Sequence, residues 1–395
     1  MKKQVKNNVY WVGKIDWELE EFHGSDYSVT QGSSQNSYLI KEEKTVLIDT
    51  VWSPHKDEFI KHLKEEVDLK SIDYLVMNHG EVDHSGSLPA LMEEVPDLPI
   101  YCTKAAVDSL VGQYHHPEWN FQVVKTGDSL DIGNGKKLVF VEMKMLHWPD
   151  SMATYMTGDK ILFSNDAFGQ HYAVEELFND YADQAVLWEQ AMKYYANILN
   201  PFSKMAARKL QEILAMNLDI DLIAPSHGAI WRDHPEQIVE AYVRWADAYQ
   251  EDQITILYDS MWEATQAIAH RLAREISFLS PSTKVKVFNV AHTDRNDLMT
   301  EVFRSKAIAV GSPTVGRDIL TSVAGILHFV KELHFVGKKA GVFGSYGWSG
   351  EGNKVLRKSL EEAGFDLVEE EVKVKWKPKE EDLEKAQALA QALLD

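Results

Sequence analysis

His79-Gly80-Glu81-Val82-Asp83-His84 packs two imidazoles and two carboxylates into six residues. The stretch follows an apolar run, Tyr74-Leu75-Val76-Met77, that reads as a short buried strand. Gly80 permits a sharp turn there, and Gly86 follows closely. Four donors on a strand-end loop are able to face one point in space, which four donors spread along a helix are not. Imidazole nitrogen and carboxylate oxygen together suit borderline first-row metals such as zinc and iron. The plain alternative is a polar loop whose acids cap the next helix.

Further donors stand at turn-like places downstream. His147 precedes Trp148-Pro149-Asp150, Asp166 follows the apolar run ending Phe163-Ser164-Asn165, and His227 follows Ala224-Pro225. Each one, taken alone, fits a satisfied structural residue as well as a ligand. As a set with the six-residue stretch they point to a metal centre.

Around these positions residues 1–250 read as β-rich. Val9–Gly13 forms a predicted strand, and Ser37–Ile40 with Thr45–Asp49 a predicted hairpin. Residues 54–67 have helical spacing, with Phe59, Leu63 and Val67 four apart, and Leu88–Val95 continues as helix. Ile132–Lys136 is a hairpin turn signal. Ala153–Met156 pairs with Ile161–Ser164, residues 173–217 read as two helices broken at Asn200-Pro201, and Leu222–Pro225 is a last strand. Strands concentrated in this way imply a sheet sandwich covered by helices.

The pattern changes near residue 250. Strands at Ile254–Tyr258, Val285–Val290, Ala307–Gly311, Lys339–Gly344 and Leu367 onward alternate with helical stretches, including Ala264–Ile276 and one from about 380. This alternation implies a doubly wound parallel sheet over residues 251–395.

Size and composition agree. A chain of 395 residues predicts two domains, each of roughly 150–250 residues. The apolar share of 45% is that of an ordinary globular protein. A net charge of −20 argues against nucleic acid, whose phosphates would be repelled. Cys102 is the single cysteine, which excludes a disulfide framework and a cysteine-held iron–sulfur cluster. No signal core follows Met1-Lys2-Lys3-Gln4 and no run reaches membrane-helix length, so the expected address is cytoplasmic, with no membrane partner.

The seven donors resemble the metal signature of the metallo-β-lactamase fold, in which hydrolases carry HxHxDH and bind zinc. Here Glu81 stands where that signature has its second histidine. With a flavodoxin-like domain behind it, the chain resembles the flavodiiron proteins along nearly its whole length. The resemblance implies an α/β protein, a metallo-β-lactamase-like αββα sandwich followed by a flavodoxin-like sheet. It implies one iron held by His79, Glu81 and His147, another by Asp83, His84 and His227, and Asp166 bridging the two. An added carboxylate hardens the site and favours iron over zinc. His23, His171 and Tyr195 are implied beside the iron pocket, while Asp49 and Trp148 read as orienting groups. His115, His116, His270, His292, His328 and His334 have no assigned role.

In the second domain Asp259–Thr265 leaves the first strand and opens a helix. Small hydroxyl residues there suit a phosphate neutralised by backbone amides. The loop resembles that of flavodoxins, many of which have glycine at the place of Glu263 or Ala264. FMN contacts are expected from Ser260, Met261, Trp262 and Thr265, from Ser312, Pro313, Thr314, Val315 and Gly316 after strand three, and from Ser345, Tyr346, Gly347, Trp348 and Gly350 after strand four. Tyr346 or Trp348 is expected against the flavin ring.

The expected function is an oxidoreductase carrying electrons from FMN to a di-iron site that reduces dioxygen to water or nitric oxide to nitrous oxide. The resemblance implies a head-to-tail homodimer or a dimer of dimers. No cysteine pair follows the second domain, so the expectation is a separate donor, rubredoxin or a reductase; the net negative charge does not by itself support rubredoxin docking, unless Lys338, Lys339 or Arg317 form a basic patch. The rival readings are a zinc hydrolase with an accessory flavodoxin-like module, and a carrier whose first domain is a degenerate scaffold.

Overall fold

The computed structural model describes residues 3–395; Met1 and Lys2, where the expected first domain begins, lie outside the described residues. The chain divides into two compact units. One runs up to Tyr194 and resumes over Phe202–Val243; the other comprises Tyr195–Pro201 and Arg244–Asp395.

The first unit is built on two sheets. The larger has seven strands in the order Lys3–Lys6, Val9–Trp11, Tyr38–Lys41, Thr45–Ile48, Tyr74–Val76, Ile100–Cys102 and Phe121–Val123. Its first four strands pair antiparallel, and the last pairings are parallel. The smaller sheet runs Ser129–Gly133, Lys136–Glu142, Met152–Met156, Ile161–Asn165 and Leu222–Pro225. Alternation along the strands sorts the side chains into layers. Val46, Ile48 and Val76 join Phe140, Met152 and Phe163 in the core between the sheets. Leu39, Leu47 and Leu75 point the other way and pack with Phe59, Leu63, Leu91 and Leu110 of the helices Lys56–Glu66, Leu88–Glu94 and Lys104–Tyr114. Each of these fully buried leucines contributes roughly 2 kcal/mol of transfer free energy. Both Met152–Met156 and Ile161–Asn165 are buried at every residue, so both faces of the smaller sheet are covered. That layering is the αββα sandwich.

Two stretches differ from the sequence expectation. Residues 173–183 are not helical apart from a single turn at Asn179–Tyr181. Phe178 bridges Ile230, and the Asn179 amide donates to the Ile230 carbonyl at 2.9 Å, so an isolated bridge to a segment distant in the chain holds the stretch open. Helix begins at Gln184, runs to Tyr194, and widens into a π-helical stretch over Tyr195–Leu199. The metal-like loop also contains one helical turn, Val82–Ser85, closed by the Ser85 amide on the Glu81 carbonyl at 2.9 Å.

The second unit carries a parallel five-stranded sheet with Lys284–Asn289, Glu251–Tyr258, Ser305–Pro313, Lys339–Tyr346 and Asp366–Lys375 side by side. In chain order this is 2-1-3-4-5, the flavodoxin-like arrangement, whose crevice lies where strands one and three part. The helix Ala264–Leu279 buries Ile268, Leu272 and Ile276 against Ile254, Ile256 and Phe343.

Candidate metal centre and flavin cavity

Strand ends deliver the seven donors to one place. His79 follows Tyr74–Val76, Asp166 follows Ile161–Asn165 and His227 follows Leu222–Pro225. Six of them are buried, and the Glu81 side chain is 13% exposed. Burying so many ionisable groups is costly unless each meets an opposite charge or a cation.

Their geometry is that of two adjoining cages. Asp166 Oδ2 lies 3.6 Å from His79 Nε2 and 3.4 Å from His147 Nε2. Glu81 Oε2 lies 3.3 and 3.4 Å from the same two nitrogens. The other oxygen, Asp166 Oδ1, is 3.0 Å from His84 Nε2 and 3.5 Å from His227 Nε2. Asp83 Oδ2 closes that second group at 3.2 and 3.0 Å. Each cage thus offers two nitrogens and two oxygens. Donors bound to one ion at about 2.0–2.2 Å stand roughly 3–3.5 Å apart, so the spacing fits a metal in each cage. A second observation agrees. Both oxygens of Asp83, both of Asp166 and His84 Nε2 are buried without a hydrogen-bond partner. Four of these five atoms, all but Asp83 Oδ1, are among those that define the two cages.

The electrostatics describe a site that needs positive charge. Burial alone would raise the Asp166 carboxyl, but the imidazoles of His84, His147 and His227 hold it well below the usual carboxylate range. Burial would lower His227, yet Asp166 and Asp83 push it up to about 10; His147 rises to about 9 for the same reason, through Asp166 and Glu81.

Outer groups orient the ligands. His79 Nδ1 pairs with Asp150 Oδ1 at 2.9 Å, and the Gly80 amide donates to Asp150 Oδ2 at 3.0 Å. Gly80 has no positive φ; its role is close approach, since a Cβ would sit 2.8 Å from Asp150 Oδ2. His227 Nδ1 donates to the Ser34 carbonyl at 2.9 Å. Asp49 accepts from the Asn78 amide at 2.7 Å, burial pushing its carboxyl up to about 6. Trp148 packs edge-on to His79 at 5.1 Å. The sequence reading did not assign Asp150 and Ser34, because each meets its histidine across 71 and 193 residues of chain.

Of the three further pocket residues, two lie at the centre. His23, on the turn between Glu21–Phe22 and Tyr27–Ser28, reaches Glu81 Oε1 at 3.2 Å. His171 pairs through Nδ1 with Ser33 Oγ at 2.7 Å, while its buried Nε2 has no partner. Burial and the neighbouring His227 and His23 hold His171 well below the usual imidazole range, so it is neutral. Tyr195 is a correction. Its ring packs on Trp245 and Phe303, at 5.4 and 5.7 Å, in the second unit. Its neighbour Tyr194 faces the centre, 5.2 Å from His171 and 6.4 Å from His227. Consecutive helical residues point about 100° apart, so one position decides which tyrosine serves.

In the second unit a cavity of about 810 Å³ opens at the strand carboxyl ends. Met261, Trp262, Pro313, Thr314, Val315, Gly316, Ser345, Tyr346, Gly347 and Trp348 line it. Ser260, Thr265, Ser312 and Gly350 are not among the lining residues. Thr265 Oγ1 and Ser345 Oγ are 3.0 Å apart, and Ser312 Oγ accepts from the Leu320 amide at 3.0 Å. The wall also includes Trp376, Lys377 and Pro378, which the sequence reading did not assign. They follow the fifth strand and reach the cavity because Trp376, at positive φ, donates its amide to the Tyr346 carbonyl at 2.8 Å.

The helix Ala264–Leu279 starts at the cavity with no side chain capping its first turn, and Ser260 Oγ is buried without a partner. Free first-turn amides and an orphaned hydroxyl suit a phosphate. Trp262 and Trp348 are 86% and 87% exposed, which leaves two large aromatic faces available to a planar ring. The residues present therefore fit a flavin mononucleotide. Lys338 provides no docking charge: it is buried, and Nζ donates to the carbonyls of Tyr249, Phe303 and Ser305 at 2.7–2.8 Å.

Comparison with known proteins finds relatives of both units. Residues 33–228 match the ODP family beta lactamase, and residues 256–388 match flavodoxin. An anaerobic nitric oxide reductase flavorubredoxin of Vibrio vulnificus is 56% identical over 96% of this chain and 76% of its own length. The chain belongs to the flavodiiron proteins. Rubredoxin oxygen:oxidoreductase from the anaerobe Desulfovibrio gigas superposes with a TM-score of 0.96 at 36% identity, over the whole of this chain and 98% of that one. The flavodiiron protein from Giardia intestinalis gives 0.94 at 32%, over the whole of this chain and 97% of its own. As a flavodiiron protein this chain is an oxidoreductase, and the zinc-hydrolase reading gives way. No helix among the described residues is long and apolar enough to cross a membrane.

Proposed function

We propose that this flavodiiron protein holds FMN in the second-unit cavity and two irons in the paired cages, and reduces nitric oxide to nitrous oxide. The observation that carries the reading is the division of Asp166: one oxygen faces His79 and His147, the other His84 and His227. A bridging carboxylate holds two metals about 3.5–4 Å apart, close enough for two small diatomic molecules to meet between them. FMN, held by the cavity residues, would supply electron transfer, and irons held by the paired cages would supply the redox chemistry at the gas.

The chain's own residues do the rest. Glu81, Asp83 and Asp166 supply negative charge that favours iron over zinc in its harder, oxidised form. Asp150 and the Ser34 carbonyl fix the tautomers of His79 and His227. His23, His171 and Tyr194 present polar hydrogens to the pocket, while Phe22, 4.6 Å from His171, excludes water on that side. The FMN assignment extends to Ser260, Met261, Trp262, Thr265, Ser312–Gly316 and Ser345–Trp348, together with Trp376; Gly350, which does not line the cavity, is left out of it.

Nitric oxide is favoured because the 56%-identical relative is named for nitric oxide reduction. Dioxygen is the second reading, favoured by the name of the Desulfovibrio gigas protein. Electrons come from a separate donor of the rubredoxin or reductase type in the cytoplasm. A head-to-tail homodimer, alone or paired into a tetramer, brings one chain's flavin to the other's irons. The deciding experiment is anaerobic consumption of each gas by iron-loaded, FMN-containing protein with a reduced donor, alongside metal analysis. Two irons per chain with faster nitric oxide loss is the expected result. Two zincs and no iron, or no loss of either gas, overturns the reading.

A further inference from the structure

Gly350 does not line the flavin cavity. What occupies the space where its side chain would stand is Lys373. A Cβ on Gly350 would meet Lys373 Cε, lie 2.9 Å from Lys373 Nζ and 3.1 Å from Tyr346 Cγ. The bare glycine lets the lysine tail cross, and its ammonium comes to rest 5.3 Å from the centroid of the Tyr346 ring. Tyr346 itself lines the cavity; Lys373 does not.

Three features hold this arrangement. Lys373 sits between Val372 and Val374, which are buried, so alternation on the strand Asp366–Lys375 directs it outward. The strand Lys339–Tyr346 pairs beside it, with Gly344 opposite Lys373 and Tyr346 opposite Lys375. The Trp376 amide then ties the Tyr346 carbonyl at 2.8 Å. A cation over an aromatic face is attracted by the ring's negative π-cloud. Here the ring that the cation meets belongs to the cavity lining, while the lysine does not.

We propose that Lys373, admitted by Gly350 and seated over Tyr346, is a positioning residue that raises the electron affinity of the bound flavin. Reduction adds negative charge to the flavin ring system, and a positive charge one aromatic ring away favours the reduced form over the oxidised one. Gly350 acts only by leaving room. The inference rests on the FMN reading and adds a control on its potential. The plain alternative is that Lys373 is an edge-strand lysine whose charge discourages strand-to-strand association.

The test is the midpoint potential of the FMN-loaded full-length protein, read by absorbance in a redox titration at low and high ionic strength. Lys373→Ala moves the midpoint to lower potential, and Lys373→Arg restores it. Gly350→Ala, which displaces the lysine tail, moves it in the same direction. In the Lys373→Ala background Gly350→Ala adds no further shift, because the group it displaces has gone. Salt shrinks the shift, since the ammonium is exposed and screened. An unmoved midpoint in Lys373→Ala overturns the proposal. So does a shift independent of salt, which signals altered packing of Tyr346, or a Gly350→Ala effect that persists undiminished without the lysine. Unmodified protein that binds no FMN overturns the underlying reading instead, and flavin content separates that failure from the others.

Discussion

The metal centre and the flavin cavity both lie at the carboxyl ends of strands, yet they are made of opposite materials. The first is a cluster of buried charges: Asp83 and Asp166 are 4% and 1% exposed, and their oxygens lack partners inside the protein. The second is a cradle of backbone amides, hydroxyls and half-open aromatic rings, with Trp348 almost fully exposed. A buried carboxylate without a cation is a large penalty, so the charges of the first site call for a cation. An exposed tryptophan carries no such penalty. The difference teaches that loss of one side chain at the metal centre disrupts a network, whereas at the flavin cavity it removes one contact among many.

Four outcomes sharpen or break that contrast. Asp166→Ala has the largest effect: it removes the only group shared by both cages, so metal content falls below two per chain and gas reduction drops to background, while flavin absorbance is kept. Retention of both metals would put the bridge elsewhere. Next is Tyr194→Phe, which slows gas reduction about 100-fold or more, the range in which positioned acid–base groups act. Tyr195→Phe leaves that rate unchanged, and equal effects of the two would deny Tyr194 its place. Third, Asp150→Asn keeps the fold but weakens the orientation of His79; metal affinity, measured by competition with a chelator, falls about 10–100-fold. The smallest effect is Trp376→Ala. Removing one aromatic contact of about 0.5–1.5 kcal/mol weakens FMN binding by up to roughly tenfold, visible in a fluorescence titration, with metal content unaltered. Loss of metal along with flavin there would break the contrast.

Legibility followed the same division. The metal ligands were readable because chemistry demands particular side chains, and those in His79–His84 stand within six residues. The doubly wound sheet was readable from alternating apolar strands and helical stretches between Ile254 and Val374. Trp376 was not, because what brings it to the cavity is a backbone turn at positive φ after the fifth strand. Tyr194 was mistaken for Tyr195 because both are plausible by type, and only the phase of the helix ending at Tyr194 distinguishes them. Lys338 read as a surface charge, and only packing reveals the three carbonyls around its ammonium.

The opening stretch shows where the two sources of information part. By itself the sequence determined that His79, Glu81, Asp83 and His84 form a run of metal-type donors, and glutamate in place of histidine points that run toward iron and redox chemistry, since ligand type is a local property. Only the tertiary structure decided how the run is divided and oriented. The single helical turn at Val82–Ser85 sends Asp83 and His84 to His227, while His79 is turned by Asp150 toward His147. Those partners arrive from strands far away in the chain, and distance along a chain carries no record of which side chains will meet.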